Sequence, residues 1–231
     1  MKRLWLAGVG LGLGLAIAAT AALGADVTPG RPLPPPRAPA TYVPFFTWNG
    51  AYVGINAGYG FGHSQWTDTV THVSTNKFGI SGAMVGGTLG YNLQLSAVVV
   101  GLEADIDWSN IKGSTTVNCV STCETSNGWL GTARGRIGYA FDRFLPYFTG
   151  GAAFGEVKGS VAGFGSFSET KVGWTVGGGL EYAFVDNWTA KLEYLYVDLG
   201  NAHCNAACSG GDPFDVTFKT NVVRGGVNYK F

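Results

Sequence analysis

The chain has 231 residues, of which 15 are basic and 15 acidic, so its formal net charge is zero, and charged residues make up only 13% of the sequence. A neutral chain lacks the basic surplus of proteins that bind nucleic acids, and we expect no nucleic-acid partner. This low charge, about half the usual fraction for soluble domains, together with 13% aromatic residues suits a protein whose outer surface meets lipid.

The N-terminal segment has the three parts of a secretory signal peptide. Lys2 and Arg3 precede an apolar stretch over residues 4–23, and small residues follow it. We therefore predict a signal peptide over residues 1–24, with cleavage at Gly24/Ala25 or one residue later. The alternative is a retained membrane helix, which the Gly, Ala and Thr content and the small-residue exit disfavour.

The next segment, residues 25–44, holds seven of the nine prolines of the chain. Such a composition predicts an extended, polyproline-like leader in the periplasm. It could be a ligand for a periplasmic partner or a tether left after export, and we favour the tether.

The remaining residues, 45–231, contain eight segments in which apolar or small residues alternate with polar or small ones. Alternation with a period of two is typical of strands with two different faces. Each segment is longer than the ~9–11 residues that a strand needs to cross a bilayer. The segments are 48–62, 77–93, 97–108, 127–141, 144–158 (the weakest alternation), 169–185, 188–199 and 217–231.

The connections alternate in length. Tight turns near 94–96, 142–143 and 186–187 are interleaved with four longer connections, near 63–76, 109–126, 159–168 and 200–216. Short turns on one side and long loops on the other are typical of outer-membrane barrels, with the long loops outside the cell. Phe164 and Phe167 in the third loop either touch the lipopolysaccharide layer or a partner, or extend the hairpin above the membrane.

These features predict an all-β fold, an eight-stranded antiparallel up-and-down transmembrane β-barrel in one domain. Aromatic residues near strand ends, including Trp48, Trp108 and Trp188, are expected in girdles at the membrane interfaces. A competing fold is a soluble lipocalin-like barrel, with polar residues outside and an apolar ligand within.

If the apolar faces meet lipid, the opposite faces fill the lumen with charged side chains. Buried charges must be paired, because an isolated buried ion costs several kcal/mol. An eight-stranded barrel is only wide enough for its own side chains, so we expect a salt-bridge network that fills the lumen rather than a gated ion path. The predicted network consists of Glu103, Asp105, Asp107, Arg134, Arg136, Glu181, Lys191, Glu193 and Arg224.

The four cysteines form two close pairs in the predicted outer loops, on an oxidising export route. Four cysteines allow three connectivities. We favour two local disulfides, Cys119–Cys123 and Cys204–Cys208. The alternative is a metal site of four thiolates, or of thiolates with His203, and we predict no metal.

The three histidines, His63, His72 and His203, all fall in or next to predicted loops. They are weak candidates for haem binding, and solvated loop histidines are the simpler interpretation, so no cofactor is expected. A hydrolase site would need a base and a nucleophile on rigid strands, but the side chains of His63 and Ser64 would diverge on a strand. With no Gly-x-Ser-x-Gly elbow either, we predict a protein that is not an enzyme.

The last strand alternates up to Phe231 and needs a partner, which a closed barrel supplies in its first strand. This pattern resembles the C-terminal strand of bacterial outer-membrane barrels, whose final Phe is read by the barrel-assembly machinery. Four stretches carry a wider resemblance: residues 48–54 (WNGAYVG), 131–140 (GTARGRIGYA), 177–184 (GGGLEYAF) and 228–231 (NYKF). With them, the chain resembles the small alphaproteobacterial outer-membrane barrels related to the N-terminal barrel of OmpA, often called the porin family.

The resemblance implies a surface protein in the outer membrane of a Gram-negative bacterium, with a structural or surface-interaction role in the envelope. Its expected partners are outer-membrane lipid and lipopolysaccharide, the assembly machinery, and host or surface ligands at the outer loops. Two alternatives remain, a narrow porin-like channel for small solutes and a haem- or ligand-binding surface receptor. The resemblance transfers no site residue to this chain.

Overall fold

The computed structural model describes residues 46–119, 121–204 and 213–231. The predicted signal peptide and the Pro-rich leader lie outside the described residues. The chain divides into two units, Met1–Val43 and Pro44–Phe231, and everything described below belongs to the second unit.

Eight strands make up the fold. Each strand pairs in antiparallel fashion with the next one in the chain, and the first also pairs with the last, so the sheet closes into a barrel. The predicted eight-stranded antiparallel up-and-down barrel is therefore confirmed. The strands are β1 (Gly50–Asp68), β2 (Phe78–Leu95), β3 (Val98–Thr115), β4 (Cys123–Tyr139), β5 (Phe144–Val161), β6 (Gly165–Val185), β7 (Trp188–Cys204) and β8 (Phe214–Lys230). In the part of the chain that the structure describes, no helix is long and apolar enough to cross a membrane.

The closing seam joins β1 to β8 along almost its whole length. The register runs from Tyr52 opposite Lys230 to Asp68 opposite Phe214. Beyond the last rung, the Phe231 amide donates to the carbonyl of Ala51 at 3.0 Å. Both edges of the sheet are paired, as a strand in hydrocarbon requires.

Several strands run further outward than the sequence predicts. β1 continues to Asp68 and β3 to Thr115, into segments that were expected to be loops. The prediction of a long loop over 159–168 is wrong, because β5 and β6 continue through it and only residues 162–164 connect them. Phe164 is exposed at this turn, whereas Phe167 packs against Trp66 in the interior, so the two residues extend the hairpin.

The strands are longer than predicted because their two faces exchange polarity near the outer end, as β1 shows. Tyr59 and Phe61 point outward and are about half exposed. Two residues further, the outward positions carry His63 and Gln65, while Trp66 is completely buried inside. Where the surroundings change from hydrocarbon to water, polar side chains move to the outside and apolar ones to the inside.

One predicted girdle residue has a different role. Trp48 is only 1% exposed, and its indole N–H donates to the carbonyl of Asp142 at 3.0 Å. It closes the end of the barrel that carries the short turns, together with Val99, Leu145 and Ala183. Trp108 and Trp188 do lie exposed on the outer wall.

Candidate functional site: the ionic layer inside the barrel

The candidate site is the set of charged side chains in the lumen, here called the ionic layer. The structure places all nine predicted lumen residues inside the barrel, and each is at most 6% exposed. They belong to β3, β4, β6, β7 and β8, at alternate positions whose neighbours face outward. The ionic layer comprises Glu103, Asp105, Asp107, Arg134, Arg136, Glu181, Lys191, Glu193 and Arg224.

Arg134 is the centre of the layer. Its guanidinium lies 2.5 Å from Glu103, 2.6 Å from Asp105 and 3.0 Å from Glu193. A fourth contact comes from Nε, which donates to the Thr132 hydroxyl at 3.0 Å. One cation thus forms ion pairs with two carboxylates of β3 and one of β7. The side chains of Arg134 and of these three acids are at most 1% exposed.

Arg224 on β8 forms a second centre. It lies 2.7 Å from Glu193, 2.8 Å from Asp107 and 2.9 Å from Asp105. Lys191 adds a contact of 3.0 Å to Glu103. Glu103, Asp105 and Glu193 each contact two or more bases, which compensates charges that would be costly if they were buried alone.

Arg136 lies toward the short-turn end of the layer. It is 2.6 Å from Glu181, and its guanidinium carbon stacks 4.1 Å from the centre of the Tyr147 ring. Its Nη1 also donates to the Tyr52 hydroxyl at 3.0 Å, and that hydroxyl donates to Glu103 at 2.7 Å. Stacking and hydrogen bonds together fix the guanidinium plane.

Two tyrosines also belong to this layer and are not among the predicted lumen residues. Tyr52 and Tyr147 are each 3% exposed, and the Tyr147 hydroxyl donates to Glu193 at 3.0 Å. A signal was present for Tyr52, because it alternates with outward Ala51 and Val53. For Tyr147 the signal is weak, since β5 carries apolar and small residues on both faces.

Above the ionic layer, the interior becomes apolar. A cluster of buried side chains, here called the outer plug, fills the half of the barrel that carries the long loops. Trp66 is its largest member, and its indole N–H donates to the Thr125 hydroxyl at 2.9 Å. The outer plug includes Trp66, Phe78, Ile80, Met84, Ile111, Leu130, Val157, Leu195, Val197, Leu199, Val216, Phe218 and Val222.

The outer plug is not among the features predicted from the sequence. The lumen is therefore filled in three layers: the cap around Trp48, the ionic layer and the outer plug. In this arrangement the charges of the ionic layer are paired with one another, and apolar side chains pack together around Trp66.

The histidines are spread over the outside of the barrel. His63 and His203 lie on the two strands that flank β8, opposite Lys219 and Asp215 respectively. These partners are four residues apart, or about 13 Å along the strand. His72 lies in the loop after β1 and His203 lies next to the end of β7, whereas His63 lies within β1, so the prediction of a position in or next to a loop is wrong for His63.

Two further predictions concern reactive side chains. Ser64 is buried inside the barrel whereas the neighbouring His63 is exposed outside, so the two side chains diverge as predicted. Cys119 and Cys123 are joined by a disulfide with a Cα–Cα distance of 6.2 Å, which leaves neither as a thiolate ligand. Cys204 is also disulfide-bonded, and its predicted partner, Cys208, lies outside the described residues.

Comparison with known proteins identifies the family. The model of the outer membrane protein beta-barrel domain matches residues 44–231. The 31 kDa outer-membrane immunogenic protein of Brucella melitensis biotype 1 is 40% identical over 232 residues, covering 92% of this chain and 95% of that protein. The 25 kDa outer-membrane immunogenic protein of Brucella abortus biovar 1 is 32% identical over 198 residues, covering 86% of each.

Among solved structures, the outer membrane protein OprG from Pseudomonas aeruginosa has a TM-score of 0.51 at 16% identity, covering 79% of this chain and 96% of that chain. This likeness supports the fold alone. The relatives and the family model place the chain in the outer membrane. The chain belongs to the outer membrane protein β-barrel domain family.

Proposed function

We propose that this protein is a closed structural barrel of the outer membrane, which presents its outer strand ends and loops as an interaction surface and conducts no solutes. The observation that carries the proposal is the filling of the lumen by the ionic layer and the outer plug. An eight-stranded barrel has little interior space beyond its own side chains, and here large side chains occupy it.

The energetics of the lumen support closure. An ion that passed the ionic layer would have to separate pairs such as Arg134–Glu103 and Arg224–Glu193, which have side chains at most 1% exposed. Leaving one partner of a buried pair uncompensated costs about 3–5 kcal/mol. A hydrated solute would then meet the apolar outer plug around Trp66 and Phe218, where its polar groups would find few partners.

Planar-bilayer recording tests this proposal. The folded protein is expected to give no steady conductance steps, while a large open porin in the same bilayers does. A second variant, Trp66→Ala with Phe218→Ala, trims the outer plug and leaves the ionic layer intact, and we expect it to stay silent too. Steady steps from the unmodified protein would overturn closure in favour of a narrow channel. Slower migration of boiled than unboiled protein on a gel shows that each sample is folded.

The interaction surface would consist of the outer rim. It includes the loop over residues 69–77, the disulfide-linked loop over 116–122 and the strand ends below them. The relatives named above are described as immunogenic, and we propose that the rim of this chain is likewise exposed to antibodies and to ligands on host surfaces. No enzymatic step is part of this proposal.

Labelling of intact cells tests the orientation. Thr71 lies in the loop after β1, whereas Asp186 lies in the short turn between β6 and β7. With a maleimide that does not cross membranes, we expect Thr71→Cys to be labelled and Asp186→Cys to be labelled only after cell lysis. The reverse pattern would place the rim in the periplasm and remove the proposed surface role.

A further inference from the structure

A polar pocket of about 420 Å³ lies on the outside wall of the barrel, where β1, β7 and β8 meet. Neither the ionic layer nor the outer plug accounts for it, because the polar side chains that line it lie on the outside of the barrel, apart from that of the buried Ser64. The side chains that matter for the argument are His63, Gln65, Lys77, Thr217, Lys219 and Asn221.

The height of this pocket is fixed by the strand register. Phe61 is the last large apolar residue on the outside of β1 and lies opposite Asn221 of β8. One outward position higher, His63 lies opposite Lys219. Two residues along a strand span about 6.7 Å, so the pocket begins directly above the hydrocarbon-facing belt. Lipid headgroups occupy this level of a bilayer.

The pocket has a surplus of positive charge. Lys219 lies 2.9 Å from Asp198, which offsets one charge. Within the described residues, neither Lys77 nor His63 forms an ion pair, so Lys77 leaves the pocket with a net positive charge. The side-chain amides of Gln65 and Asn221 also line the pocket; each donates one N–H to a backbone carbonyl, of Thr75 and of Phe61 respectively, at 3.3 Å, and has a second N–H for a ligand. Such a set suits an anion with several acceptor oxygens.

The wall below the pocket suits a lipid chain. Ala57 and Gly225 lie opposite each other on the outer face of β1 and β8, three outward positions below His63 and Lys219. Larger apolar side chains flank this pair, including exposed Ile55 and Leu192. Between this pair and the pocket, the outward positions of β1 carry the exposed rings of Tyr59 and Phe61, against which a lipid chain can pack.

We propose that this pocket binds a phosphate group of the phosphorylated glycolipid of the outer leaflet, lipopolysaccharide, with one acyl chain lying over Ala57 and Gly225. Lys77 and Lys219 contact the phosphate oxygens, and His63 adds a third contact. Lipopolysaccharide, expected from the sequence only as a general partner, would thus bind at a defined place on the outer wall of the barrel. It is independent of whether the lumen conducts.

A pair of double variants tests the site. Lys77→Gln with Lys219→Gln removes two charges from the pocket. The matched control is Lys112→Gln with Lys158→Gln on β3 and β5, because Lys158 is 49% exposed and 2.9 Å from Glu156, as Lys219 is 49% exposed and 2.9 Å from Asp198. Lys112, like Lys77, forms no ion pair within the described residues. Both double variants lose the same charge.

The measurement is binding of purified lipopolysaccharide to the folded, detergent-solubilised protein, with dephosphorylated lipopolysaccharide and inorganic phosphate as separate ligands. We expect the pocket variant to bind lipopolysaccharide about tenfold more weakly than the unmodified protein, and the control variant to bind it unchanged. Dephosphorylated lipopolysaccharide should bind the unmodified protein as weakly as lipopolysaccharide binds the pocket variant.

Three results would overturn the proposal. Equal weakening in both double variants would indicate unspecific attraction to the charge of the whole barrel. Undiminished binding of dephosphorylated lipopolysaccharide would remove the phosphate contact. Inorganic phosphate that binds as tightly as lipopolysaccharide would assign the pocket to a free anion rather than a lipid. Gel migration before and after boiling confirms that each variant is folded.

Discussion

Arg134 on β4 and Glu193 on β7 meet across the barrel interior, with Nη1 of the guanidinium 3.0 Å from the carboxylate. Strands β5 and β6 lie between them in the sheet, so this contact spans the lumen rather than joining neighbouring strands. The ionic layer therefore connects strands on opposite sides of the barrel. Removing its charges should lower the free energy of unfolding.

The first prediction concerns the centre of this layer. Arg134→Ala should lower the free energy of unfolding by about 3–5 kcal/mol, because Glu103, Asp105 and Glu193 lose a buried cation. Urea titration of the protein folded into lipid vesicles gives this value. The control is Lys158→Ala, an exposed partner in an ion pair, which should cost within about 1 kcal/mol. A cost near zero for Arg134→Ala would mean that water fills the lumen.

The second prediction uses two adjacent glycines of β2. A Cβ at Gly86 would meet the carbonyl of Ile106 and the carboxylate of Asp107 inside the barrel. At Gly87 the nearest atom is the carbonyl of Gly54 at 3.7 Å, on the lipid-facing side. Gly86→Val should therefore destabilise the barrel by about 3 kcal/mol or more, and Gly87→Val should cost little. Urea titration gives the free energy of unfolding of both variants, and gel migration shows whether each folds. Equal destabilisation by the two substitutions would contradict the assignment of Gly86 to the lumen and Gly87 to the lipid-facing side.

The third prediction concerns pH and the loop after β1. The Asp68 carboxylate accepts hydrogen bonds from the amides of Thr71 at 2.8 Å and Val70 at 2.7 Å, and the Thr71 bond is the main cause that lowers the pKa of Asp68. Because folding lowers this pKa, the ionised carboxylate stabilises the loop above the ordinary carboxyl pKa. That stabilisation is lost as the pH falls through the lowered value.

Amide hydrogen exchange of Val70 and Thr71 measures this effect. Protection should be present at neutral pH, begin to weaken below the ordinary carboxyl pKa of about 4, and disappear only as the pH falls through the lowered pKa of Asp68. In Asp68→Asn a neutral oxygen accepts the same bonds, so protection should no longer depend on pH in this range. Protection that persists in acid in the unmodified protein would show that Asp68 does not hold the loop.

The fourth prediction concerns assembly. Phe231 is 70% exposed and packs edge-on against Tyr229 at 5.3 Å between ring centres, so its ring is accessible on the outer wall. We propose that the assembly machinery reads this ring. Phe231→Ser should then reduce the amount of folded barrel in the outer membrane of cells, with unchanged refolding of the purified protein into detergent. An equal loss in both settings would assign Phe231 a structural role instead.

Much of this architecture could be predicted from the sequence, because a strand that crosses a bilayer repeats its faces every two residues. Glu103, Asp105 and Asp107 alternate with outward Ala104 and Ile106, and this alternation predicts which face of β3 lines the lumen. The charged residues of the other strands followed from the same rule. Their exact partners did not, since pairs such as Arg134 and Glu193 depend on the closure of the barrel.

The outer half of the barrel was harder to predict for a physical reason. Above the membrane, the faces of β1 exchange their character between Phe61 and Trp66, so the apolar positions shift to the opposite face. A pattern that changes phase within one strand looks like the end of that strand. This is why segments of β1 and β3 were expected to be loops, and why the outer plug was missed.

The central claim is that the barrel has two separate apolar surfaces, one facing lipid and one sealed inside. Nuclear magnetic resonance of methyl groups in lipid nanodiscs tests it directly. Leu102 and Leu192, exposed on the outer wall, should show cross-peaks to lipid acyl chains. Leu130 and Leu195, buried in the outer plug, should show cross-peaks to neither lipid nor water. Water cross-peaks at Leu130 and Leu195 would reveal a hydrated lumen and contradict the closed barrel.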